Sequence, residues 1–288
     1  MTAHILDGRA LAKTMGAEIA ADAERFLKEH GWEPGIAVVQ VGGDPASSWY
    51  VKQIRRSFTR AGMRCALHEL AETATAAEFA ALLQELNADD RTNGIIVQMP
   101  LPEHIPQSLV TDLLDPAKDV DGIHPLNAGR LMQGDLDAFA PATPAGGMEI
   151  LRRSGIELRG KHAVMVGRSN IVGRPMALLM LHQHATVTIC HSRTPDLGAV
   201  TREGDILVAA VGRAKIITGD MIKPGAVVVD FGVNVVDDAL IGDVDTEAAM
   251  EVAGYVTPVP GGTGPMTNVM LMANTLRAAQ NQAGQRPL

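Results

Sequence analysis

Short runs of β-branched and aliphatic residues alternate along this chain with longer stretches whose apolar positions recur at helical spacing. In the first half, Leu11–Glu29 reads as an amphipathic, alanine-rich helix, and Ile36–Val41 as a strand ending at Gly42-Gly43. Ser47 or Ser48 is placed to cap a helix running to Ala61. A strand over Arg64–Glu69, a helix over Ala76–Asn87 and a buried strand over Gly94–Gln98 follow; Met99-Pro-Leu-Pro102 closes the last of these. Ile105–Leu114 reads as helical, Pro141–Pro144 as a hinge, and Ala145–Ser154 as the helix leading into a second unit. There the strands are Ala163–Val166, Thr186–Cys190, Asp205–Val211 and Ala226–Asp230. Met266–Gln280 reads as a closing helix that packs back on the first domain. Strands alternating with helices imply an α/β fold with parallel sheets. Two domains are expected: residues 1–140 with 267–288, and 141–266.

The second unit carries the sharpest local signal. Val164-Met-Val-Gly-Arg-Ser-Asn-Ile-Val-Gly-Arg-Pro175 reads as strand, glycine turn and the opening of a helix over Pro175–Leu181. Proline is well tolerated in a first helical turn, where its missing N–H would be unpaired anyway. This arrangement aims backbone N–H groups at a pyrophosphate, as in a Rossmann-type dinucleotide-binding domain. The glycine spacing, G-x-S-x-x-x-G, is not the standard fingerprint, so the reading rests on its strand context. The next strand ends in His191-Ser192-Arg193, where an NAD site usually has an acid to grip the ribose 2′-hydroxyl. A hydroxyl and a guanidinium there, with Arg168 in the turn, suit a 2′-phosphate, so the expected cofactor is NADP. The candidate cofactor residues are Gly167, Arg168, Ser169, Gly173, Ser192, Arg193, Gly212 and Val233. The last two follow the third and fourth strands, at the carboxyl ends where open α/β sheets bind ligands.

Composition narrows the remaining classes. At 288 residues the chain is long enough for two sizeable cores. A net charge of −8 argues against a nucleic-acid partner, and 3% aromatic residues argue against base-stacking platforms. No apolar run approaches a membrane span, and the N-terminus lacks the regions of a signal peptide. Cys65 and Cys190 form no CxxC and read as buried thiols in a reducing cytoplasm. His182-Gln-His184 has no accompanying carboxylate or cysteine cluster, so these read as surface histidines and no metal site is expected.

Three clusters lie outside the nucleotide unit: Ser47-Ser-Trp-Tyr50-Val, Ile96-Val-Gln98-Met-Pro-Leu-Pro102 and Lys118-Asp-Val-Asp121-Gly-Ile-His-Pro125. With VQMPLP, DVDGIHP, PATP, VGRSNIVGRPM, TVTICHSRT, TPVPGG followed by GPMT, and LMANTL, the chain resembles the bifunctional 5,10-methylenetetrahydrofolate dehydrogenase/5,10-methenyltetrahydrofolate cyclohydrolase family over essentially its whole length. The resemblance implies a folate-binding catalytic domain, a second domain holding NADP, tetrahydrofolate substrates held in a cleft, and a homodimer. It also implies roles for Tyr50, Gln98 and Asp121 in catalysis and substrate binding, and for Pro260, Gly261 and Gly262 in substrate binding. Those residue types suit the task. A carboxylate such as Asp121 accepts two hydrogen bonds from the amide-and-amine edge of a pterin, Gln98 offers donor and acceptor, and Tyr50 can stack and lend a hydroxyl. Each also has a plain structural reading, Asp121 as a turn former before Gly122 and Gln98 as a strand-end cap.

One position departs from the family pattern with chemical consequence. The family motif Tyr-x-x-x-Lys places a lysine one helical turn after the tyrosine, and this chain has Ile54 there. Lys52 falls nearly opposite on the helix, and Arg55 and Arg56 stay protonated and make poor proton shuttles. Hydride transfer depends on orientation, whereas adding water to a methenyl carbon needs a general acid/base. Dehydrogenase activity is therefore expected to survive with cyclohydrolase activity weak or absent. Two other readings stand beside this one. In the first, the enzyme is fully bifunctional, with Lys52 or water held by Gln98 and Asp121 moving the proton. In the second, the chain is a non-catalytic folate- and NADP-binding paralogue. Thr263, Asn268 and Ala142 also depart from the family pattern near the same site.

Overall fold

The computed structural model describes residues 2–43, 45–135 and 137–284. In chain order the elements are β1 (His4–Ile5), α1 (Gly8–His30), β2 (Gly35–Val41), α2 (Pro45–Arg60), β3 (Arg64–Leu70), α3 (Ala76–Ala88), β4 (Gly94–Val97), α4 (Ser108–Leu113), α5 (Pro125–Met132) and α6 (Ala142–Arg153). There follow β5 (His162–Val166), α7 (Gly173–His182), β6 (Thr186–Cys190), α8 (Leu197–Thr201), β7 (Ile206–Ala209), β8 (Val227–Asp230), β9 (Asn234–Val236), β10 (Ala239–Ile241), α9 (Thr246–Val252), β11 (Tyr255–Val256) and α10 (Thr263–Ala283). The chain divides into two compact units. One comprises Met1–Lys13, Leu131–Leu136 and Thr143–Thr267; the other comprises Thr14–Arg130, Asp137–Ala142 and Asn268–Leu288. Among the described residues no helix is long and apolar enough to cross a membrane.

The unit that begins at Thr14 is built on a three-stranded parallel sheet in the order β3-β2-β4. Every residue of the central strand β2 is buried, so Gly35–Val41 reads as a near-continuous apolar run, interrupted only by Gln40, rather than an alternating one. Ala37, Val39, Ile95 and Val97 pack with Phe79, Leu83 and Leu86 of α3 and with Val110 and Leu114. Helix α3 is bounded by its own chemistry. Thr75 accepts from the Glu78 N–H while the Glu78 carboxylate accepts from the Thr75 N–H, a reciprocal cap. At its other end the buried Lys118 ammonium donates to the carbonyls of Leu86, Asn87 and Asp89 at 3.1, 2.7 and 2.9 Å. A cation on orphan carbonyls also complements the negative end of the helix dipole. Helix α10 belongs to this unit from Asn268, and Asn274 Nδ2 donates to the Val120 carbonyl at 2.8 Å.

The other unit is a six-stranded, all-parallel sheet in the order β1-β11-β8-β7-β5-β6. The order reverses at β5, which lies between β6 and β7, and ligands of open α/β sheets bind at such a switch point. Gly167 follows β5 there with φ +128°, and a Cβ on it would lie 2.2 Å from the Ala210 carbonyl oxygen beyond β7. Glycine is the residue that lets these two strand ends approach.

Several expectations are corrected. The first strand does not join the N-terminal domain: His4 and Ile5 pair with Tyr255 and Val256 at the edge of the six-stranded sheet, and the chain up to Lys13 goes with that unit. Two-residue strands carry no periodicity, and only their pairing reveals them. Helix α2 starts at Pro45, ahead of Ser47 and Ser48, because proline suits a first helical turn. The Ile105–Leu114 helix is shorter, Ser108–Leu113, since Pro106 disfavours helical backbone at Ile105. The boundary between the units falls between Ala142 and Thr143, inside the expected Pro141–Pro144 segment, but α6 starts at Ala142 rather than Ala145 and takes Pro144 into its first turn. Cys65 is half-buried rather than buried, and His182 is half-buried with Nε2 2.7 Å from the Leu131 carbonyl.

Substituting Gly167→Ala is expected to destabilise the protein by about 1–3 kcal/mol or more, since it meets both a disfavoured φ and a backbone oxygen. Urea unfolding with an unchanged midpoint would show that the switch point has slack.

Candidate functional site

In the three-stranded unit the candidate residues are placed by the carboxyl ends of β2 and β4. The buried Gln40 side chain, one residue before the end of β2, donates to the Gly42 carbonyl at 3.2 Å and to Ser48 Oγ at 3.1 Å. That ties down the first turns of α2 at Ser48, two residues before Tyr50. Gln98 follows β4 directly; its backbone N–H donates to the Val39 carbonyl at 2.8 Å and its side chain is buried. Asp121 sits in a loop organised by its neighbour Asp119, a fully buried carboxylate. Asp119 accepts from the Ile123 N–H at 3.0 Å, the His124 N–H at 2.8 Å and Asn127 Nδ2 at 2.8 Å. Gly122, φ +69°, turns the chain where a Cβ would lie 2.5 Å from the Pro141 nitrogen.

The electrostatics of this cluster are unusual. Burial raises the Asp121 carboxyl to about 7, and the nearby Asp119 charge pushes the same way. Burial also raises Asp119 against its three hydrogen bonds. The Tyr50 phenol is held well above its ordinary range by burial, with Asp121 adding to the effect. Tyr50 is therefore a hydrogen-bond donor and no base, while Asp121 changes charge near neutrality. Ile54 lies one turn after Tyr50 on α2 and is fully buried, as is Phe58 one turn further on. Lys52, Arg55 and Arg56 are exposed. The buried Lys118 ammonium is spent on the three carbonyls at the end of α3.

In the six-stranded unit, Gly167, Arg168, Ser169 and Gly173 form the turn between β5 and α7, with Arg168 and Ser169 exposed. The first-turn amides of α7 are not turned out toward a ligand as expected. Ser169 Oγ accepts from the N–H groups of Val172 and Gly173, both at 3.2 Å, and the Ser169 carbonyl takes that of Arg174. Pro175 has none, and the Met176 N–H bonds to the Val172 carbonyl. Arg168 is exposed in this turn, and Ser192 and Arg193 are exposed beyond the end of β6. Gly212 and Val233 are exposed beyond β7 and β8. The Gly212 N–H points inward to Asp243. Pro260, Gly261 and Gly262 lie between β11 and α10, where the Arg9 N–H donates to the Gly261 carbonyl at 3.1 Å.

Comparison with known proteins agrees with this arrangement. The family model of the tetrahydrofolate dehydrogenase/cyclohydrolase catalytic domain matches residues 6–121, and that of its NAD(P)-binding domain matches residues 141–283. The chain belongs to the tetrahydrofolate dehydrogenase/cyclohydrolase family. It is 54% identical over 286 residues to the bifunctional protein FolD of Herpetosiphon aurantiacus, covering 99% of this chain and 100% of the relative. A solved bifunctional FolD from Campylobacter jejuni superposes with a TM-score of 0.94 at 44% identity, over 96% of this chain and 98% of that one. The Trypanosoma brucei FolD, solved with NADP cofactor and an inhibitor, gives 0.95 at 35% identity and covers both chains completely. The six-stranded unit thus carries the NAD(P)-binding domain of a two-domain α/β fold.

Sequence reasoning singled out candidate residues on these loops and missed those that hold the loops: Gln40, Asp119, Asn127 and Asp243. Asp119 and Asp243 stand in quotable runs, Asp-Val-Asp-Gly and Gly-Asp-Val-Asp. A buried acid among loop residues was the available signal.

Asp121 gives a test in pH. Its folded value near 7 lies above the ordinary carboxyl value, so the folded state binds the extra proton and Asp121 costs stability as pH rises toward 7. Relative to wild type, Asp121→Asn is expected to gain stability between pH 5 and pH 8. Urea titrations at several pH values would show a difference that grows with pH; a flat one would mean the carboxyl is not buried as described.

Proposed function

We propose that this protein is an NADP-dependent 5,10-methylenetetrahydrofolate dehydrogenase whose cyclohydrolase activity is weak or absent. The carrying observation is the buried isoleucine, Ile54, one helical turn from Tyr50, where the resemblance calls for a lysine.

Oxidation of the methylene carbon moves a hydride to the cofactor and leaves a cationic methenyl carbon, with no proton to relay. Bound NADP supplies the hydride acceptor. The chain's part is orientation: ionised Asp121 accepts from the pterin's N–H edge, Gln98 donates and accepts beside it, and the protonated Tyr50 stacks and donates. Pro260, Gly261 and Gly262 carry their substrate role over from the resemblance. Cyclohydrolysis adds water to the methenyl carbon and must take a proton from it and deliver one to the departing nitrogen. Such a group typically contributes ~10²–10⁴-fold. Tyr50 is held protonated, Lys118 is engaged elsewhere and Lys52 is on the exposed side of α2. An apolar Ile54 also spares the cationic product a neighbouring charge. NADP is favoured over NAD because Ser192 and Arg193 end the second strand, with Arg168 in the turn and no acid. Homodimer formation belongs to the same reading.

With methylenetetrahydrofolate and NADP⁺, NADPH and the methenyl product are expected to rise together, with formyl product forming only at the uncatalysed rate. Ile54→Lys is expected to raise formyl production by ~10²-fold or more. Formyl product keeping pace with NADPH in the unaltered protein would overturn the loss of cyclohydrolase, and absence of NADPH would overturn the dehydrogenase.

Replacing Arg193→Gln is expected to lower kcat/KM with NADP by about tenfold or more while leaving that with NAD nearly unchanged. Equal losses with both cofactors would remove Arg193 from 2′-phosphate recognition.

A further inference from the structure

Two buried carboxylates, Asp230 at the end of β8 and Asp243 after β10, have no part in the chemistry above. Asp243 is fully buried, and each of its oxygens accepts twice. Oδ2 takes the N–H groups of Val211 at 2.6 Å and Gly212 at 3.0 Å; Oδ1 takes the Arg213 N–H at 2.8 Å and Asn234 Nδ2 at 3.0 Å. Three consecutive amides converging on one anion form a nest, and here the anion is a side chain of the protein itself. Asp230, also buried, accepts from the N–H groups of Gly232 at 2.7 Å, Asp243 at 3.1 Å and Val244 at 2.8 Å. The two interlock through glycines. A Cβ on Gly232 would lie 2.4 Å from Asp243 Oδ1, and one on Gly242 would lie 2.0 Å from Asp230 Oδ2.

The loop so fixed carries Gly212, and Asn234 adjoins Val233; both Gly212 and Val233 are assigned above to the cofactor. Because the three loop amides are committed inward, none is left for a phosphate, and the loop meets the nucleotide through its outer surface. That surface has its shape only while the amides stay on the carboxylate.

We propose that Asp243 is a positioning residue for the nicotinamide cofactor: its buried carboxylate sets the 211–213 loop and, through Asn234, the start of β9 next to Val233. The inference rests on reading this unit as the NADP site. A carboxylate that only stabilised the fold would lower stability without a selective effect on one substrate. A positioning carboxylate raises KM for NADP while KM for the folate stays in place.

The experiment compares three variants by steady-state kinetics and by calorimetric titration with NADP, each well below its own unfolding midpoint. Asp243→Asn places an amide NH2 among N–H donors. Asn234→Ser removes one donor and leaves the carboxylate, so it decides the question if the first variant does not fold. Asp205→Asn is the control: Asp205 accepts the His162 N–H at 3.0 Å and Lys223 Nζ at 2.6 Å just before the opposite end of β7. The expected result is a tenfold or larger rise in KM and Kd for NADP in Asp243→Asn and a smaller rise in Asn234→Ser. KM for methylenetetrahydrofolate is expected to stay within twofold, with the control at wild-type values. Wild-type NADP affinity in the two loop variants, or an equal rise in the control, would overturn the proposal. If the unaltered protein fails to bind NADP, the assignment of the site fails instead.

Discussion

A buried carboxylate collecting loop amides beside a parallel sheet is the interaction on which both units depend. In the three-stranded unit Asp119 gathers two N–H groups and the amide of Asn127. In the six-stranded unit Asp243 gathers three N–H groups and the amide of Asn234. Parallel strands end with polar backbone groups that the next turn must satisfy or leave stranded, and a stranded buried donor costs about 1–3 kcal/mol. An internal anion solves the problem for several donors at once and fixes the loop's shape in doing so. The loops then hold the residues beside these anchors, Asp121 in one unit and Gly212 in the other, with little freedom.

That division of labour bears on the chemistry. Residues that move charge must be free to change state, whereas those that build loops must not. Lys118 has an ammonium in the right motif but gives its protons to the end of α3. Asp121, whose carboxyl sits near neutrality, is the group left to change charge within the cluster. On α2, Tyr50, Ile54 and Phe58 line one face by spacing, and the last two are fully buried. A position that could carry an ammonium beside the phenol instead completes an apolar seam. On the function proposed above, hydride transfer tolerates that exchange, because it asks for alignment alone, and hydrolysis does not.

Much of this was legible in the residues. Glycine turns, strand runs and the basic end of the second nucleotide strand located the cofactor unit, and Thr186–Cys190 forms a strand with the bounds read from its pattern. The capped helix Ala76–Ala88 was expected to within a residue, because Thr75 and Glu78 make its start a local matter. Elements held by distant partners were not legible. The strand His4–Ile5 exists through Tyr255 and Val256, and the hairpin of Asn234–Val236 with Ala239–Ile241 is largely exposed, with no core face to mark it.

By itself, then, the sequence determined the two-domain α/β class and the family, since periodicity and motif spacing are properties of neighbouring residues. Tertiary structure decided where the N-terminal strand pairs, which amides face inward, and which acids are buried. Those depend on groups far apart in the chain converging on one point: Val211 and Asp243, separated by a whole strand and a hairpin, meet at 2.6 Å. No local pattern records such a meeting, because its energy comes from satisfying donors that only the finished fold brings together.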